Sequence, residues 1–371
     1  MPRILLAADF PVEKLPGFES THATHHATWL PPLAEALTHH PEFDLHWLTF
    51  TKRISKPQEV QHLGHTFHLL PRNRLSLQIL TRFRSERKQI AHLAARLAPD
   101  VLHAWGTEQG YALAASDHPN PTLVSIQGIL NEICKAPSPH PLLRFQAKSE
   151  ATALRKLTQL TTESPWAAEK LSHLAPQAKI HLLEYGVSPA TFAITRNLSP
   201  KPLALHVGTL SAAKGVDSLL RAFSHNDLAH IDLAILGIGP LQNSVSRPNI
   251  SFLGHLPHPQ VLDWMSRAWC LVHPTLADSS PNSVKEARVI GLPVITTPCG
   301  GQTQYVTHGK SGFILPPNDE TSLAEAILTI TQCSETSLAM GRCQMTDCRA
   351  ALDIHRTSSN LVNLYRSLIH P

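Results

Sequence analysis

Short apolar runs alternate along the chain with longer stretches in which apolar residues return at helical spacing. This is the pattern of α/β units built around a parallel sheet. In the first half, the runs at 4–8, 45–50, 65–70, 101–104, 122–126, 157–162 and 179–183 predict strands, and 29–38, 75–98 and 166–174 predict helices. The alternation lapses over 186–201, a polar segment containing Pro189 and Pro200, which reads as an interdomain linker. It then restarts, with strands predicted at 203–207, 232–236, 250–252, 270–273, 294–296 and 312–315, and helices at 216–223, 259–268, 283–290 and 322–330. The second half thus repeats the α/β architecture of the first. After the last predicted strand, Ala351, Ile354, Leu361, Leu364, Tyr365 and Leu368 keep helical spacing, so a terminal helix is expected that packs elsewhere, back on the first domain. The expected domains are 1–190, 191–347 and this tail, 348–371.

Composition narrows the class. A chain of 371 residues is long enough for two domains, and 42% hydrophobic content is that of a globular protein. A net charge of +4 gives no reason to expect bulk nucleic-acid binding, although 24 histidines would add positive charge as pH falls through ~6.5. The six cysteines form no CxxC pair and no zinc-site spacing, so reduced thiols and no protein-bound metal are expected. The apolar run before Asp9 is too short for a signal peptide, and no stretch approaches the ~18 apolar residues of a membrane span, so a cytoplasmic location is expected.

Three segments carry candidate chemistry. Residues 274–301 set Asp278 and Glu286 across a short polar loop and the first turns of a helix that Gly291 ends. A carboxylate at the mouth of a parallel sheet can hold ribose hydroxyls, while the N–H groups of a helix start face a diphosphate. The plainer reading makes Asp278, Ser279 and Ser280 a capping cluster and Glu286 a solvated helix residue. Residues 207–217 run from a strand through Gly208, Thr209 and a polar loop to Lys214, which suits phosphate contact or an ordinary β–α turn. Gly237 and Gly239 mark another strand exit, either beside a base or ribose or simply a tight turn; without a third glycine they do not indicate NAD.

Taken in order, Lys214-Gly215, the Gly237/Gly239 turn, 252–255, the acid and Glu eight residues apart, 291–295 and 309–317 resemble the GT-B glycosyltransferases of family 4. Residues 100–106 and 184–192 extend the resemblance over essentially the whole chain. It implies two facing Rossmann-like domains with parallel sheets and a deep interdomain cleft. It further implies a nucleotide-sugar donor held mainly by the second domain, an acceptor held mainly by the first, and retention of anomeric configuration. By the resemblance Lys214 would sit on the donor diphosphate, Glu286 on its ribose and Asp278 near the sugar hydroxyls. Gly208, Thr209, Gly237, Gly239, Asn282, Ser283 and Val284 would line the donor, with the Ser283 and Val284 N–H groups on its phosphates. The nucleotide sugar is then a substrate, UDP- or GDP-linked, with no resident cofactor. The acceptor is a hydroxyl of a glycan, a lipid-linked molecule or a small molecule. An epimerase or hydrolase of the same fold, or a non-catalytic binder of nucleotide sugar or glycan, are the alternatives.

The chain departs from the family pattern in three places. Gly208-Thr209 stands where many members have Gly-Arg, Asp278 where many have Glu, and Gln127 where many have His. A neutral amide cannot act as an acid or base, so Glu108 or His103 is a candidate for acceptor contacts, with a hydrogen-bonded core histidine the alternative for His103. His22, His25 and His26 have the spacing of one helix face but lack accompanying ligands. Finally, 72–96 holds seven basic residues against Glu86 with leucines between, compatible with contact with an anionic membrane or with a solvated face over a core stripe.

Overall fold

The computed structural model describes residues 1–20, 27–119, 121–135 and 140–370. His22, His25 and His26 therefore lie outside the described residues. The chain divides into two compact units, Met1–Gly186 with Ile354–Pro371, and Val187–Asp353.

The first unit is built on strands β1 (Arg3–Ala7), β2 (Asp44–Thr51), β3 (Gln58–His62), β4 (His65–Pro71), β5 (Val101–Trp105), β6 (Thr122–Ile126), β7 (Gln159–Thr162) and β8 (Lys179–Leu182). They form one sheet in the order β3-β4-β2-β1-β5-β6-β7-β8, parallel except for β3 against β4. Side chains alternate across a strand, and both faces of this sheet are covered. Leu5 and Ala7 enter one core, with Leu102 and Val124; Ile4 and Leu6 enter the other, with Val101 and Leu123. That is why these strands read as continuous apolar runs.

The region expected as one helix over 75–98 is two, Leu75–Leu80 and Arg84–Leu97. Arg82 and Phe83 take left-handed φ values of 49° and 57°, which break the helix and turn Phe83 inward to 1% exposure. Gly110 makes room for it, since a Cβ there would lie 2.8 Å from Phe83 Cβ. Arg72, grouped with this segment in the sequence, belongs instead to the end of β4 and bonds Asp9. The tail is also interrupted. Met345–Ala351 is a helix of the second unit, and Ile354–Ile369 is a separate helix of the first, where Tyr365 is fully buried.

The second unit contains β9 (Leu203–Val207), β10 (Asp232–Leu236), β11 (Ile250–Gly254), β12 (Cys270–His273), β13 (Val294–Thr296) and β14 (Gly312–Ile314). All pair in parallel, in the order β11-β10-β9-β12-β13-β14. Leu205 and Ala204, adjacent in sequence, enter opposite cores. The polar segment expected as a linker is tied down within this unit. Asn197 and Ser199 N–H groups donate to the Ser266 and Arg267 carbonyls, and Arg196 donates to the Gly291 and Ala268 carbonyls at 2.5 and 2.6 Å. Among the described residues no helix is long and apolar enough to cross a membrane.

Candidate active site

In the second sheet the chain leaves β9 for one side and takes up β12 on the other, so these two central strands mark the point where strand order reverses, the position at which open α/β sheets bind ligands. Lys214 lies in the loop after β9 and Asp278 in the loop after β12. Their loops are stitched together: the Leu276 N–H and the Thr275 hydroxyl both donate to the Ala213 carbonyl, at 2.9 and 3.3 Å. Gly215, at φ 67°, lies so close beneath that a Cβ would fall 2.0 Å from the Pro274 carbonyl oxygen. On its other side Asp278 donates its N–H to Cys299 and accepts from the Gly301 N–H, with Gly300 packed on its carbonyl. The side chains then meet. Lys214 Nζ is 2.5 Å from Asp278 Oδ2, and His273 Nε2 is 3.3 Å from the same oxygen.

Burial works to raise the Asp278 pKa, but Lys214 and His273 outweigh it and hold the carboxyl well below the usual carboxylate range. His206, fully buried at the end of β9, stacks parallel to His273 with ring centroids 6.2 Å apart. Burial pushes its pKa down to about 3, so it is neutral. Its Nδ1 lies 2.9 Å from the Val272 carbonyl, which fixes the proton there and leaves buried Nε2 an acceptor without a partner. Sequence reasoning missed both histidines; their only signal was a His inside each otherwise apolar strand run.

Glu286 projects from the helix Asn282–Ile290 and is 6% exposed, which removes the solvated-helix reading. His258, at the start of the helix His258–Arg267, bonds Glu286 Oε1 through Nε2 at 2.7 Å. Asn282 and Ser283 open the Glu286 helix, and Pro281 before them supplies no side-chain cap. Of the two expected phosphate donors, Val284 is already engaged: its N–H donates to the Pro281 carbonyl at 3.1 Å. The helix is anchored at its far end by Arg288, fully buried, whose guanidinium donates to the carbonyls of Tyr305, Leu292, Gly341 and Cys343.

The strand-exit glycines divide by surroundings. A Cβ on Gly237 would fall 1.8 Å from the Gly208 carbonyl oxygen and one on Gly239 2.4 Å from that of Leu210, so loop-on-loop packing accounts for both. Gly208 is different. At φ 157°, the nearest atom a Cβ would meet is His206 Nε2 at 3.6 Å, and Thr209 beside it is exposed.

The first unit has its own divergence, between β1 and β5. Arg72 Nη2 donates to Asp9 Oδ1 at 2.8 Å, and Gln109 Nε2 to Asp9 Oδ2 at 3.0 Å. Glu108 lies against two glycines, where Cβ atoms would come within 2.5 Å of Oε2 at Gly106 and 3.0 Å of Oε1 at Gly128. Gln127, half-buried, immediately precedes Gly128. Burial first, then Glu150 and Asp9, push the Glu108 carboxyl up to about 7. Glu150, 1% exposed, accepts from Thr107 Oγ1 at 2.6 Å and from the Leu130 and Asn131 N–H groups. His103 is removed from the acceptor candidates: it is fully buried, with Nδ1 2.6 Å from the Tyr365 hydroxyl and Nε2 2.7 Å from that of Ser125. Among the described residues no three His, Cys, Asp or Glu side chains group as metal ligands.

Residues 201–333, which contain Lys214, Asp278, His258 and Glu286, match the family described as glycosyl transferases group 1. The matched residues lie within the second unit. The chain is 25% identical over 183 residues to a D-rhamnosyltransferase, WbpZ, of Pseudomonas aeruginosa, covering 44% of this chain and 47% of that protein. It is 32% identical over 127 residues to a putative teichuronic acid biosynthesis glycosyltransferase, TuaC, of Bacillus subtilis, covering 34% and 32%. The matched part spans about half the length of the first of these relatives and less of the second. In fold, sucrose-phosphate synthase from Thermosynechococcus elongatus superposes with a TM-score of 0.83 at 16% identity, covering 100% of both chains. HepE from Anabaena, solved with UDP and glucose, gives 0.69 at 16% identity, covering 99% of this chain and 100% of that one. The expected GT-B fold is therefore the fold of this chain.

Proposed function

We propose that the chain transfers a sugar from a nucleoside-diphosphate donor to an acceptor hydroxyl, with retention at the anomeric carbon. The Lys214–Asp278 pair at the β9/β12 divergence, beside a helix start with no side-chain cap, carries this reading. Lys214 supplies a full positive charge and the Asn282 and Ser283 N–H groups partial ones, as a diphosphate leaving group requires. Glu286, oriented by His258, accepts from ribose hydroxyls. In the reaction the bond from the anomeric carbon to the diphosphate oxygen breaks, the acceptor oxygen bonds the same face, and its proton passes to the departing diphosphate. This needs no protein base, so Gln127 does not forbid it. Glu108, with a carboxyl titrating at about 7, is suited to exchanging hydrogen bonds with the acceptor. The charge compensation by Lys214 and backbone amides calls for no resident metal.

Calorimetry with UDP and GDP tests the site. Lys214→Ala and Glu286→Ala should each weaken the better-bound nucleotide by roughly tenfold or more. Unchanged affinity in both variants would remove the assignment. Donor consumption without acceptor would favour an epimerase or hydrolase, and nucleotide binding without turnover would favour a non-catalytic binder.

A further inference from the structure

The helix Leu75–Leu80 is unusual in what it leaves outside. Leu75, Leu77 and Leu80 are 45%, 57% and 61% exposed, while only Gln78 and Ile79 of this helix are buried. Few large apolar side chains of the described residues are exposed at all, and three of them fall on these six residues. Exposed cations bracket them: Arg74 immediately before the helix, and Arg82 and Arg84 just after it. The helix packs on a neighbour, Pro141–Leu154, whose Phe145 ring lies 6.0 Å beneath the Arg82 guanidinium and whose Arg144 is exposed. Neither helix presents an exposed acid. No Asp or Glu occurs between Glu59 and Glu86, and Glu86 is 1% exposed and turned toward Arg72. In the neighbouring helix the only acid is Glu150, buried under the hydrogen bonds already described.

We propose that this face docks on the surface of an anionic lipid bilayer, the three leucines entering the acyl boundary and the arginines meeting lipid phosphates. The chemistry selects that occupant. Leucines need an apolar medium, and arginines around them need a dense field of anions at its edge; a bilayer rich in anionic headgroups supplies both in one plane. A second copy of the chain does not, because a twofold contact would set Arg74, Arg82 and Arg84 against their own copies without a carboxylate to separate them. The inference is independent of the transfer reaction, since it concerns where the first unit rests and is read by binding alone.

Sedimentation of the full chain with vesicles tests it. The protein should pellet with vesicles of phosphatidylglycerol in phosphatidylcholine, remain in solution with phosphatidylcholine alone, and detach as salt is raised. Leu77→Ser with Leu80→Ser should abolish pelleting while leaving nucleotide affinity and the thermal midpoint in place, because both side chains are exposed. Arg82→Gln should weaken vesicle affinity by about fivefold. Failure to pellet with anionic vesicles overturns the proposal. So does pelleting that survives the double serine variant, or self-association in solution that the serine variant removes.

Discussion

Lys214 Nζ and Asp278 Oδ2 lie 2.5 Å apart, joining the exits of two strands through residues 64 apart in the chain. The carboxylate offsets the Lys214 charge, so under the proposed function a diphosphate would compete with Asp278 for Lys214. On that reading the pair tunes how tightly the site holds phosphate.

Asp278→Asn keeps the shape and removes the competitor. UDP or GDP should bind roughly fivefold tighter while turnover falls at least about tenfold, because the sugar loses a charged acceptor of its hydroxyl hydrogen bonds. The stability effect has a definite pH window. The Asp278 carboxyl titrates lower folded than unfolded, so its contribution is present above the unfolded value near ~3.9 and is lost as pH falls toward the folded one. With both side chains partly exposed, the variant should be ~1–2 kcal/mol less stable than the parent at neutral pH. That gap should close in strong acid. Unchanged nucleotide affinity in the variant would show that the pair does not tune the phosphate site.

Glu108 behaves in the opposite sense. Its carboxyl keeps its proton up to about 7, whereas in the unfolded chain it loses it near ~4.3, so between these values the native state binds more protons and stability falls as pH rises. Glu108→Gln has no proton to lose. Denaturant melts should show the variant gaining on the parent through this window, reaching ~2 kcal/mol above pH 7 after allowance for the side chain's partial exposure. A difference that does not vary with pH would mean Glu108 is solvated like any surface carboxylate.

How much of this could be read from the sequence depended on where the information lay. β9, β10, β12 and β13 were legible because both faces of their sheet are covered, which turns each strand into an apolar run. β3 was not: Gln58–His62 is a polar edge strand with most of its residues exposed, and it carries no apolar signal. The helix Gly110–Ser116 escaped because it is apolar all round and shows no stripe. The fusion of 75–80 with 84–97 had a different cause, a left-handed turn at Arg82 and Phe83 made without glycine. Lys214, Asp278 and Glu286 could be found because strand exits and helix starts are local features. Their partners could not. His258 reaches Glu286 across 28 residues and Gln109 reaches Asp9 across 100, distances fixed by topology alone.

Two glycines at neighbouring strand exits separate packing from ligand approach. Gly237→Ala would place a methyl 1.8 Å from the Gly208 carbonyl oxygen, a clash with backbone that no rotamer relieves. It should cost ~3 kcal/mol or more, seen as a lower thermal midpoint with nucleotide affinity lost only as the fold is lost. Gly208→Ala meets open space, 3.6 Å from His206 Nε2, and bears only the strain of φ 157°, about 1–2 kcal/mol. If a diphosphate approaches the backbone there, the added methyl occupies its path. The Gly208 variant should then remain folded at assay temperature while nucleotide affinity falls by tenfold or more. A folded Gly208→Ala protein with parental affinity would move the phosphates away from the β9 exit.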